Sequence, residues 1–136
     1  MSSRRRLHLT AIAVLLIVAT ALLLGGCSDP KPMTLGEGNS GQTIGLARGQ
    51  RLIVELPANA TTGFSWAVAK AGGLTQVGEP EYAPPSASGA VGAGGIATFT
   101  FEASTPGTGR LTLEYRKPWG KDVAAEKTWS VTLSVK

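Results

Sequence analysis

Residues 128–135 read TWSVTLSV: Trp129, Val131, Leu133 and Val135 alternate with Thr128, Ser130, Thr132 and Ser134. Side chains on a β-strand point to opposite faces in turn, so this stretch is a strand with one apolar and one polar face. The same period recurs upstream. Leu52, Val54 and Leu56 alternate with Arg51, Ile53 and Glu55. Phe64, Trp66 and Val68 alternate with small or polar residues; Ala97, Phe99 and Phe101 with Ile96, Thr98 and Thr100; Leu111, Leu113 and Tyr115 with Thr112, Glu114 and Arg116. TIGLA, at 43–47, reads as an additional edge strand. No window carries the helical period with caps. Short alternating strands punctuated by Gly and Pro predict an all-β, antiparallel sandwich.

The N-terminus is of a different kind. Arg4, Arg5 and Arg6 precede an uncharged apolar run from Leu9 to Leu24, then Gly25, Gly26 and Cys27. A basic segment, an apolar segment and small residues before a cleavage point are the anatomy of an export signal. The run is also short for a membrane span, which needs about 20 residues. Leu24-Gly25-Gly26-Cys27 resembles a bacterial lipobox, and Cys27 is the chain's single cysteine. The expected organisation is therefore a lipoprotein signal peptide over 1–26, a lipidated Cys27 with a flexible tether over 27–41, and one folded domain over 42–136. That predicts an exported protein held at the bacterial membrane or envelope through lipid on Cys27, with a monomer as the simplest state.

Removing the signal takes Arg4, Arg5 and Arg6 with it, so the net charge falls from +4 to +1. The high isoelectric point thus belongs mostly to the targeting segment, and no basic run interleaved with aromatics remains for nucleic acid. His8, the one histidine, also lies in the signal. Without histidine or a free thiol, the usual serine or cysteine triads, His-ligated metal sites and histidine general bases are ruled out. Glu79 and Glu81 form the one close carboxylate pair, in a Pro-rich segment where both read as solvated. No enzyme and no cofactor are expected.

Three loops remain to be explained. NATTGF, at 59–64, places two hydroxyl residues at a turn where a two-residue reversal would suffice. Asn59 can make an Asx hydrogen bond there and Gly63 can supply a positive φ. GAGG, at 92–95, is weak alone, because glycine-rich runs are commonly linkers. RKPW, at 116–119, puts Trp119 in a loop, where it is either a folded-back plug or an exposed interface anchor.

In this order the three loops resemble the chagasin family of cysteine-peptidase inhibitors, whose pattern is NPTTG[FY], GxGG and RPW or a close variant. The resemblance covers residues 42–136 and implies an immunoglobulin-like antiparallel β-sandwich. It further implies a reversible, competitive inhibitor whose loops enter the cleft of a papain-like cysteine peptidase. The peptidase-binding residues implied are Asn59, Thr61, Thr62, Gly63 and Phe64 in the first loop, and Gly92, Gly94 and Gly95 in the second. The third loop contributes Arg116, Lys117, Pro118 and Trp119. By carry-over Thr61 sits deepest, the glycines let the enzyme's backbone approach, and Trp119 packs on an aromatic surface. Ala60 stands where the family has proline, and Lys117 where an arginine precedes Pro-Trp. The alternative is an envelope-anchored binding or adhesion module on the same fold, and exposure of Trp119 beside the first loop separates the two.

Overall fold

The computed structural model describes residue 26 and residues 28–85, 94–120 and 122–136. Residues 1–25 of the expected signal segment, Cys27 and Gly92 therefore lie outside the described residues. Among the described residues nine strands form two sheets: β1 Met33–Leu35, β2 Thr43–Leu46, β3 Arg51–Ala58, β4 Ser65–Ala71, β5 Thr75–Gln76, β6 Glu81–Ala83, β7 Gly95–Glu102, β8 Gly107–Arg116 and β9 Lys127–Val135. One sheet runs β1-β3-β7-β5, with β6 also on β7; the other runs β2-β9-β8-β4. The alternation read from the sequence sets which side chains lie between them. Leu52, Val54, Leu56, Phe99, Phe101, Leu111, Leu113, Trp129, Val131 and Leu133 are all essentially removed from solvent. Each such side chain contributes about 1.5–3 kcal/mol relative to exposure, so this layer carries the fold without a disulfide.

Two expectations are corrected. The segment read as a tether to Gly41 is part of the fold from Met33 onward. β1 pairs parallel to β3, Leu35 is buried, and a short 3-10 turn at Glu37–Asn39 leads across to the other sheet. The Trp129 indole NH donates to the Gly36 carbonyl at 3.0 Å, which fixes that crossing. Three strand residues are too few for a visible period, which is why the sequence hid β1. The sandwich is also not wholly antiparallel, because β2 pairs parallel to β9 as well. β1 and β2 run in opposite directions on either side of the crossing, and each lies beside a strand that runs its own way, β3 and β9.

Phe64 and Val68, expected on the inward register, are only partly buried. The pairing of β4 with β8 shifts between Val68 and Lys70, a bulge that ends the alternation. With Lys70 exposed on it, the bulge also blunts the free edge of β4.

Register places the loops. Ala58 at the end of β3 faces Gly95 at the start of β7. Ser65 at the start of β4 faces Arg116 at the end of β8, and Tyr115 faces Lys127 at the start of β9. The described residues of the three connecting segments, 59–64, 84–85 with 94, and 117–120 with 122–126, consequently gather at one end. At the other end Met33 faces Leu52, Arg51 faces Glu102 and Gly107 faces Val135.

Candidate functional site: three loops at one end of the sandwich

The first loop is built around Asn59. Its side-chain Oδ1 accepts from the Thr61 backbone NH at 3.1 Å and from the Thr61 hydroxyl at 2.6 Å, capping a 3-10 turn at Ala60–Thr62. The Thr62 hydroxyl donates to the Asn59 carbonyl at 2.7 Å. Gly63 then leaves the turn at φ +74°, a left-handed conformation that side chains with a Cβ resist. Both threonine protons are thus used inside the loop. What the hydroxyls offer outward is lone pairs, so they present acceptors on a stiff turn.

Beneath the loop lies a support the sequence reading did not single out. The Tyr115 hydroxyl accepts from the Asn59 NH at 3.0 Å. Phe64 stacks on the Tyr115 ring with centroids 5.6 Å apart, and Trp66 tilts against the same ring at 5.1 Å. The Trp66 indole NH donates to the Pro57 carbonyl at 2.9 Å, tying the last turn of β3 to β4. One signal was available: Tyr115 ends an otherwise apolar inward register, and a buried phenol needs a polar partner. Tyr115→Phe should keep the stack but leave the Asn59 NH without that acceptor, lowering stability by about 1–2 kcal/mol in urea unfolding.

The second loop is described only from Gly94. A Cβ on Gly94 would stand 3.1 Å from the Ala58 carbonyl oxygen, and one on Gly95 would overlap the Ala83 carbonyl and lie 2.8 Å from the Tyr82 ring. Gly95 is therefore required by the close packing of β7 against β6, while a side chain at Gly94 would press on the end of β3. That requirement is intramolecular, whatever a partner adds.

In the third loop the Arg116 guanidinium turns inward, with Nη2 3.2 Å from the Glu114 carboxylate and donating to the Val123 carbonyl at 3.2 Å. It braces the loop. Lys117 Nζ lies 5.2 Å from the centre of the Phe64 ring, a cation–π contact between the third loop and the first. Trp119 is 75 % exposed, so it is no plug. Its Cη2 lies 3.4 Å from where a Gly63 Cβ would be, which sets the indole beside the tip of the first loop. Val123, 68 % exposed, lies in the same loop and was not anticipated. Phe64 separates two hollows: one of about 290 Å³ bounded by Lys117, Trp119 and Val123, and one of about 370 Å³ bounded by Asn59, Thr62, Gly94 and Tyr115.

This end of the molecule holds hydroxyls, backbone and exposed aromatic surface, with Glu114 engaged by Arg116. The fold that presents it is an immunoglobulin-like β-sandwich. The model of the chagasin family of peptidase inhibitors (I42) matches residues 46–133, and the chain belongs to that family, which is one of inhibitors and not of enzymes. Amoebiasin-1 from Entamoeba histolytica is 34% identical over 103 residues, spanning 76% of this chain and 99% of that protein. Chagasin from Trypanosoma cruzi is 34% identical over 88 residues, spanning 60% of this chain and 77% of its own. The solution structure of Amebosin superposes with a TM-score of 0.63 at 32% identity, covering 79% of this chain and 99% of that one. The cysteine protease inhibitor EhICP2 from Entamoeba histolytica shares the fold, with a TM-score of 0.65 at 15% identity over 78% of this chain and 96% of that one.

Proposed function

We propose that the chain inhibits papain-like cysteine peptidases reversibly and competitively, by inserting the three loops into the active-site cleft. The observation that carries this is Trp119, exposed beside Gly63 at the tip of a self-capped first loop. A cleft binder needs a rigid wedge with an aromatic anchor next to it, and the Asn59–Tyr115 bond with the ring stack supplies the rigidity. Thr61 enters deepest and presents hydroxyl lone pairs to donors in the cleft. Blocking without a correctly placed scissile bond leaves the inhibitor intact. Titrating papain and a cathepsin L-like enzyme with residues 28–136, read with a small fluorogenic substrate, tests this. Nanomolar competitive inhibition, about −12 kcal/mol of binding, is expected. No effect of the folded protein at micromolar concentrations would return the loops to a non-inhibitory binding module.

Ala60 is the first residue of the 3-10 turn, and Asn59 before it is extended at φ −123° and ψ 101°. Both conformations suit a following proline. Ala60→Pro should raise stability by about 0.4–1 kcal/mol in urea unfolding, and tighten inhibition in the same direction, because the loop loses freedom before binding.

The export features support a second part of the proposal: cleavage before Cys27 and acylation of that cysteine, with the domain displayed at the cell membrane or envelope. Several acyl chains at about 0.8 kcal/mol per buried methylene hold a protein there durably.

A further inference from the structure

β1 runs parallel to β3 with Met33 opposite Leu52, so the chain before Met33 leaves the domain where β3 begins. The NATTGF loop leaves from the other end of the same strand. Eight residues at about 3.3 Å each put roughly 25 Å between the two. The Gln50 side-chain amide donates to the Lys31 carbonyl at 2.8 Å, which ties the incoming chain to the turn after β2. Only Ser28, Asp29 and Pro30 then separate that tie from Cys27, a span of at most about 14 Å.

We propose that the end of the sandwich opposite the three loops is a membrane-facing surface, resting on bilayer headgroups while the loops face water. This rests on the reading of Cys27 as acylated. The surface carries exposed Lys31, Arg48, Arg51 and Lys136, against Asp29 and Glu102, an excess of cations suited to anionic headgroups. Its frame is rigid: the Arg48 NH donates to the Lys136 carbonyl at 2.8 Å, the Gly49 NH to Ala103 at 2.8 Å, and the Ala103 NH to Gln50 at 2.9 Å. It rests on the membrane without entering it. Among the described residues the large exposed apolar side chains are Tyr82, Ile96, Trp119 and Val123, all in the loop half. A peptidase docking on the loops therefore approaches from water and meets no bilayer.

The test couples the Cys27 thiol of residues 27–136 to a maleimide-headgroup lipid in nanodiscs containing anionic lipid and a nitroxide-headgroup lipid. Amide signals of Arg48, Gly49, Arg51 and Lys136 should be lost to paramagnetic broadening, while those of Thr62, Gly63 and Trp119 persist. Equal loss at both ends, or loss centred on Thr62 and Trp119, would overturn the proposal. Chemical coupling keeps this result independent of natural acylation, which the intact mass of the protein from its producing cell decides separately. Adding papain to the same nanodiscs should give the inhibition seen with the uncoupled protein. Loss of inhibition only on coupling counts against the orientation, whereas absence in both forms counts against the inhibitor reading alone.

Discussion

Trp119→Ala weakens inhibition of papain by about 2–4 kcal/mol, a thirtyfold to thousandfold rise in the inhibition constant, while the urea midpoint stays put. The two halves of this expectation have different sources. The indole is 75 % exposed and lies outside the core, so truncating it removes little buried area from the free protein. In the proposed complex that same surface is buried between the enzyme and Gly63, and a flat aromatic loses little rotamer freedom when it is. Lys117 and Arg116 keep the loop's shape in the variant through Phe64, Glu114 and Val123. A variant that inhibits as well as the parent would remove Trp119 from the interface and with it the main support for the inhibitory reading.

Thr61→Arg is expected to weaken inhibition by about 3 kcal/mol or more, upward of a hundredfold, with a stability loss near 1 kcal/mol. The stability term is the Thr61 hydroxyl bond to Asn59, which goes, while the Thr61 backbone bond to the same oxygen stays. The binding term is larger because the tip of the first loop is where the cleft is narrowest in the proposed complex. An arginine there must either be buried without a partner or hold the loop out of the cleft. Competitive titration of the variant, beside a circular dichroism check of its fold, measures both. Undiminished inhibition would mean that Thr61 remains outside the cleft, and the depth assigned to the first loop would have to be given up.

Much of the architecture was legible because a sheet buried on one face writes a period of two into its strands. Trp129, Val131 and Leu133 could be placed inside before any coordinate was known, and they are. The candidate site was legible as an ordered set of motifs, whose residues lie in segments that register brings to one end. What each residue does was less so. Gly95 read as an open approach for a partner, yet the Tyr82 ring and Ala83 already occupy the space beside it. Arg116 stood among the peptidase-binding residues that the resemblance implies, and it braces its own loop through Glu114 and the Val123 carbonyl. Tyr115 read as core, and its hydroxyl positions the first loop. These roles depend on contacts between residues far apart in the chain, to which local spacing is blind.

The sequence by itself determined that residues from about 43 onward make a two-faced sheet structure with a hydrophobic layer between. It also determined that no histidine follows His8 and that Cys27 is the single cysteine, which leaves residues 28–136 without either group for acid–base or thiol chemistry. Alternation and inventory are properties of single positions and near neighbours, so they survive without a fold. Tertiary structure alone decided that Met33–Leu35 joins the sheet, that Trp119 stands beside Gly63, and that chain entry and loops occupy opposite ends. Those are matters of strand direction and register, set when distant segments pair to satisfy backbone hydrogen bonds and bury their apolar faces together.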